Sequence, residues 1–208
     1  MPRLTVQERA ERIKVVLLDV DGVLTDGKIS LHADGTESKQ FDIKDGLAIV
    51  WARRAGLTVG FLSARTAPTT LHRASQLGVT LVHQGLPNKL ETYDEIVGDM
   101  CDDDDEVAYM GDDIVDLPVL ARAGLAAAPA DASIDIRTRV HWVSAAKAGD
   151  GAVRELIELI LRAQNRWEDI IQAYLSEAPP REHADVDPRE PGRSGVASAD
   201  ARSRGTRK

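Results

Sequence analysis

The chain holds one cysteine, Cys101, among its 208 residues. That excludes an intramolecular disulfide and leaves no set of thiolates to bind zinc. Long apolar runs are missing as well. No stretch approaches the ~20 residues that span a bilayer, and the opening MPRLTVQERAERI is charged throughout, without the apolar centre of a signal peptide. An excess of positive charge is also missing: Lys and Arg number 26 against 34 Asp and Glu, a formal net charge of -8. This balance argues against a nucleic-acid-binding protein or a polybasic membrane surface. It does not argue against an anionic substrate, because one divalent cation can dominate a small site. The absences leave an expectation of a soluble, cytoplasmic protein with no nucleic-acid partner and no membrane partner.

What is present is alternation. KVVLLDV, LTVGFLS, VTLVH and EVAYMGD read as strands, with GLAAAPA and VHWVS as shorter ones. Helical patterns lie between them: DGLAIVWARRAG, APTTLHRASQLG, NKLETYDEIVGDM and DLPVLARAG. Continuous apolar strands alternating with helices indicate an α/β fold, a doubly wound parallel sheet covered on both faces. KISLHADGTESKQF breaks the rhythm and reads as a β-hairpin turning at ADGT, a flap over the strand ends. GAVRELIELILRAQNRWEDIIQAYL reads as one long amphipathic helix with Val153, Leu156, Ile157, Ile160 and Leu161 on its apolar stripe. One folded domain is expected over 1–175. Residues 176–208, rich in Pro, Arg, Asp, Gly and Ser, are expected to be a disordered polar tail.

The strand KVVLLDV ends by placing two carboxylates, Asp19 and Asp21, one residue apart. In an extended chain residues i and i+2 project to one side, so both can face one site. Ligands of open α/β sheets bind beyond the carboxyl ends of the strands, and three more polar signals fall there. Ser63 closes LTVGFLS; an anion contact and a helix N-cap are both open to it. Lys89 sits near the start of a helix, where a cation is mildly unfavourable. GDDIVD brings Asp112, Asp113 and Asp116 directly after a buried strand. Hard divalent cations such as Mg²⁺ take oxygen ligands, and Asp19, Asp112 and a backbone carbonyl near Asp21 form a candidate set.

The four signals in this order resemble the haloacid dehalogenase superfamily of phosphatases. DVDGVLTDG, FDIKDGLAI, QGLPNKL, GDDIVDLPVL and GAVREL resemble, within it, the 3-deoxy-D-manno-octulosonate 8-phosphate (KDO 8-phosphate) phosphatase subfamily, over Lys14 to about Leu175. The resemblance implies a Rossmann-like core with a hairpin flap and no large cap domain, an Mg²⁺ cofactor and a homotetramer. It implies a phosphorylated 2-keto sugar acid as substrate, KDO 8-phosphate foremost and a nonulosonate 9-phosphate as the alternative. It makes Asp19 the nucleophile and Asp21 the acid/base, with Asp19, Asp21 and Asp112 as the metal set. Ser63 and Lys89 then bind the transferring phosphoryl group. Asp116 holds Lys89 or a metal-bound water, and Asp113 lies beside the metal or one contact further out. Lys44 and Arg65 are the candidates for a sugar carboxylate, which calls for a charge-assisted partner. A non-catalytic oligomerisation module is a further reading, disfavoured because Asp19, Asp21, Ser63, Lys89, Asp112 and Asp116 all remain.

Two positions depart from the subfamily pattern. Ala64 stands where Gly is commoner in the second motif. Asp150 stands where a basic residue is expected before GAVRE, with Lys147 a nearby substitute. The run DDDDE, Asp102 to Glu106, lacks the spacing of a calcium loop and is expected to be a solvated loop. Trp51, Trp142 and Trp167 are expected in the core or at a subunit interface, and His32 of the flap at the surface.

Overall fold

The computed structural model describes residues 4–176; of the segment expected to be a tail, only Ser176 falls within them, and 177–208 lie outside. The sheet has six parallel strands: β1 (Val15–Leu18), β4 (Thr58–Leu62), β5 (Leu81–His83), β6 (Val107–Met110), β7 (Leu125–Ala128) and β8 (Trp142–Val143), in the order β5-β4-β1-β6-β7-β8. β1 is central, its Val15–Leu18 registered on Thr58–Phe61 of β4 and on Val107–Met110 of β6. All four of its residues are buried. Side chains alternate across the sheet, so Val16 and Leu18 enter one core and Val15 and Leu17 the other. A strand covered on both faces is apolar at every position, which is why this one reads as an unbroken run.

The first core lies under α1 (Val6–Ala10), α2 (Ile43–Arg54), α3 (Pro68–Gln76) and α7 (Ala152–Ala163); the second lies under α4 (Lys89–Met100), α5 (Leu117–Leu120) and α6 (Ile134–Arg137). The α2–α7 contact is tied by a buried carboxylate. Asp45 accepts the N–H groups of Arg154 (2.8 Å) and Gly151 (3.3 Å), satisfying donors at the start of α7.

The segment expected to be one long helix is two. α7 ends at Ala163, α8 spans Trp167–Leu175, and Asn165 between them has φ 58°. Asn tolerates this left-handed conformation better than other side chains. The corner is held because Gln164 Nε2 donates to the carbonyls of Ile13 and Ala10, and Arg166 to that of Ala55. The expected apolar stripe of α7 is fully buried. Trp51 and Trp167, both largely buried, pack edge to face at 5.4 Å, and the Arg154 guanidinium lies 4.6 Å over Trp51.

The flap forms as expected: β2 (Ser30–Leu31) pairs antiparallel with β3 (Glu37–Ser38), and Asp34 accepts the N–H and hydroxyl of Thr36 across the turn. The acidic run is at the surface, with Asp102 and Asp103 exposed and the other three carboxylates paired. Arg12 pairs with Asp105 (2.9 Å), Lys14 with Glu106 (2.6 Å) and Arg122 with Asp104 (2.8 Å), pinning the loop to the α1–β1 connection and to the turn after α5.

Candidate active site

Asp19 follows the last residue of β1, and its N–H donates to the carbonyl of Met110, which extends the ladder with β6 by one rung. Beyond it Gly22 turns the chain at φ 99°, and a Cβ there would lie 2.2 Å from Oδ2 of Asp112. The turn after β1 and the turn after β6 therefore meet face to face, which a side chain at position 22 would prevent. Gly111 plays the same part for Asp116: a Cβ would stand 2.5 Å from the Asp116 Cγ.

At the centre is a lysine. The Lys89 Nζ donates to Oδ1 of Asp19 at 2.6 Å, to Oδ1 of Asp116 at 2.7 Å and to the Tyr109 hydroxyl at 3.2 Å. Tyr109 in turn donates to Asp116 at 2.6 Å. Asp116 is wholly buried, and its second oxygen accepts the N–H groups of Asp112 (3.0 Å) and Asp113 (3.3 Å). The position of Lys89 in the first turn of α4 is thus explained: the favourable contact is with carboxylates across the site, not with its own helix.

Burial and mutual repulsion set the protonation states. Burial raises Asp19 to about 6, with Lys89 pulling it down and Asp116 pushing it up. Burial raises Asp112 to about 7, reinforced by Asp19, Asp116 and Asp113. For Lys89 burial acts downward, but Asp19 and Asp116 outweigh it and hold the ammonium above its ordinary value. Asp19, Asp112 and Asp116 each bring a carboxylate oxygen within 4.8 Å of the others. Lys89 answers only part of that negative charge. The donor set consists of hard oxygens and suits a divalent cation such as Mg²⁺. Asp116 has both oxygens engaged by Lys89, Tyr109 and two backbone N–H groups, so Asp19 and Asp112 are the side chains with capacity to spare.

The other expected residues fall as follows. Ser63 is buried at the end of β4, on the opposite flank of β1 from Asp112, and its Oγ accepts the N–H of Arg65 at 3.2 Å. It does not cap a helix; the N-cap of α3 is Ala67. The Asp21 carboxylate is paired with Lys39 (2.7 Å) and Arg65 (3.5 Å). Arg65 also pairs with Glu37 of the flap at 2.8 Å. Asp113 is exposed, and its carboxylate accepts the N–H of Ile114 in a short 3₁₀ turn instead of facing the cluster. Lys44 is exposed on the first turn of α2, and Lys147 and Asp150 are exposed before α7. His32 is exposed and bonds Ser38 within the flap at 3.2 Å.

Three residues of the site escaped the sequence reading: Lys39, Glu37 and Tyr109. Tyr109 sits in an apolar strand and looks like core. Lys39 and Glu37 carry one signal, their i, i+2 spacing on a hairpin strand, which turns both to one side.

No family model matches the chain. Individual relatives do. A curated 3-deoxy-D-manno-octulosonate 8-phosphate phosphatase of Yersinia pestis is 39% identical over 163 residues, 78% of this chain and 87% of the relative. The crystal structure of a protein of that description from Moraxella catarrhalis, in complex with a magnesium ion, a phosphate ion and KDO, matches with a TM-score of 0.79 at 31% identity, covering 81% of this chain and 97% of the other. A cobalt-bound deoxy-D-mannose-octulosonate 8-phosphate phosphatase from Haemophilus influenzae matches with a TM-score of 0.75 at 37% identity, covering 81% and 99%. Two apposed turns at the ends of adjacent strands, a lysine buried between carboxylates, and this degree of identity along the folded chain lead to one assignment: the chain belongs to the KDO 8-phosphate phosphatase family of the haloacid dehalogenase superfamily.

Proposed function

We propose that the protein is an Mg²⁺-dependent phosphatase that hydrolyses KDO 8-phosphate through an aspartyl-phosphate intermediate. The observation that carries this reading is the buried Lys89 shared by Asp19 and Asp116, with Asp112 brought alongside. Asp19 is the nucleophile. At neutral pH, above about 6, it is ionised, and Lys89 offsets its charge at 2.6 Å. One Asp19 oxygen bonds to phosphorus while the bond from phosphorus to the sugar oxygen breaks, and that oxygen takes a proton from Asp21. Asp21, now a carboxylate, removes a proton from water as the water oxygen attacks phosphorus. The bond to Asp19 then breaks, releasing inorganic phosphate.

Ser63 and Lys89 flank the reacting group from β4 and α4, and Asp116 with Tyr109 keeps the ammonium aimed at Asp19. Asp19, Asp112 and a backbone carbonyl near Asp21 would hold Mg²⁺, which when bound neutralises carboxylate and phosphoryl oxygens during transfer. Arg65 and Lys44 stand as the readers of the sugar carboxylate. A homotetramer, expected from the family resemblance, belongs to the same proposal and is checked by light scattering.

Phosphate release with Mg²⁺ tests the reading, comparing KDO 8-phosphate, a nonulosonate 9-phosphate and hexose phosphates. Preference for KDO 8-phosphate supports it, and preference for the nonulosonate transfers the same chemistry to the other substrate. Asp19→Asn must abolish turnover; near-wild-type rates in that variant would sink the covalent mechanism.

A further inference from the structure

The flap meets the body of the protein through charge. Its strands are two residues each, with Ser30, Leu31 and Ser38 exposed. Such a hairpin buries too little apolar surface to hold itself in place. What it turns inward is Glu37 and Lys39. The Lys39 side chain is 0% exposed, with Nζ 2.7 and 2.9 Å from the two oxygens of Asp21 and 3.8 Å from Oε1 of Glu37. Arg65, from the loop after β4, completes a ring: its Nε lies 3.5 Å from Asp21 Oδ2 and its Nη2 lies 2.8 Å from Glu37 Oε2. Two carboxylates and two cations alternate around this ring, and their charges cancel while Asp21 is the carboxylate, the form that takes a proton from water in the second step. An ammonium removed from water requires such anionic partners. A hairpin lysine would ordinarily extend into solvent, whereas this one is committed to Asp21.

We infer that Lys39 is a positioning residue that clamps the flap to Asp21, so that the docked flap and the working orientation of that carboxylate are one state. The inference rests on Asp21 being the acid/base. Without the Lys39 ammonium Asp21 keeps only the longer Arg65 contact at 3.5 Å, and the flap is tied to the body only through Glu37 and Arg65. The groups assigned to the phosphoryl moiety, Ser63 and Lys89, are not ion-pair members of the ring; Ser63 meets it only through the backbone N–H of Arg65.

The test uses the full chain with Lys39→Met and Lys39→Arg, steady-state kinetics on the phosphomonoester that the wild type hydrolyses, and hydrogen exchange of amides 30–38. Lys39→Met is expected to lower kcat about 100-fold, the size of a mispositioned acid/base. KM should move less than kcat, since Ser63 and Lys89 stay in place and Arg65 keeps its Glu37 partner. Lys39→Arg, which restores charge and reach, should recover about tenfold of the loss. Flap amides should exchange faster in Lys39→Met and in Asp21→Asn alike, while β1 amides stay protected. Wild-type kcat in Lys39→Met, or unchanged flap protection, would overturn the clamp. A raised KM with kcat retained would place Lys39 in substrate binding and overturn the positioning role. A wild type that releases no phosphate from any phosphomonoester would overturn the acid/base reading and the positioning role with it; the exchange data decide the clamp independently.

Discussion

The Lys89 ammonium lies 2.6 Å from Asp19 in a spot where neither side chain is more than 8% exposed. A charge pair so far from water is costly to break, because the partner left behind stays buried and uncompensated. Lys89→Met is therefore expected to reduce turnover by at least about 100-fold, as loss of a charge-stabilising donor does. It should also cost on the order of 3 kcal/mol of stability. Adding Asp116→Asn to that variant should recover part of the stability and none of the activity. Denaturant titration of the four proteins of the cycle checks this, and additive stability losses would show that the two residues are not coupled.

Mg²⁺ binding should be pH-dependent through Asp112. A ligating carboxyl must be ionised, and burial together with Asp19, Asp116 and Asp113 lifts this one to about 7. Protons therefore compete with the metal below that value, and apparent affinity should fall as pH drops, approaching about tenfold per pH unit. Calorimetric titration from about pH 8 to about pH 6 reads the slope. Asp112→Asn should flatten it and weaken binding; a flat wild-type profile would remove Asp112 from the metal.

Gly22→Ala should damage the site more than the fold. The residue has φ 99°, and the new methyl would meet Asp112 Oδ2 at 2.2 Å. The backbone conformation alone costs on the order of 1–3 kcal/mol for a residue with a Cβ. Displacement of Asp112 should cost Mg²⁺ affinity as well. Thermal melts with and without Mg²⁺ separate the two effects: the metal-induced rise in Tm should shrink in the variant.

Asp45 should make stability depend on pH in a direction opposite to that of a salt-bridged carboxylate, whose value is lowered. Burial raises it from 3.8 to about 6, against the pull of the Arg154 and Gly151 N–H groups. Its folded value lies above its unfolded one, so its contribution is fully present below 3.8 and is lost as pH rises through about 6. Asp45→Asn keeps one acceptor for the α7 donors and does not titrate. The wild type should therefore gain stability relative to that variant on acidification from about pH 7 to about pH 4, on the order of 3 kcal/mol in all. A constant difference across that range would mean that Asp45 keeps its ordinary value.

The residues legible in the sequence are those whose chemistry clashes with their local setting. Asp19 ends an apolar strand, Asp112 and Asp116 follow another, and Lys89 stands at the wrong end of a helix; each conflict is visible without a fold. Tyr109 and Asp45 are different, since a tyrosine in a strand and an acid in a helix look ordinary until their partners arrive from elsewhere in the chain. The break at Asn165 was hidden by a helical period that continues across it, and the carbonyls that hold the corner belong to residues 10, 13 and 55. The DDDDE run is a surface loop with Asp102 and Asp103 exposed, as its charge suggests; its partners Arg12, Lys14 and Arg122 come from elsewhere in the chain and have no local signal.

The strand order has a last consequence. Asp19 leaves the central strand, Ser63 its neighbour on one side and Asp112 its neighbour on the other, while Lys89 arrives from α4. No two of these four residues are closer than 20 positions in the chain, so no local segment contains more than one of them. Loop closure and strand registry must precede any contact among the four, and an intermediate lacking one of these strands cannot assemble the set that turns over substrate. Recovery of activity after dilution from denaturant is thus a clock for the formation of the β4-β1-β6 centre of the sheet, and no fragment cut between those strands should retain it.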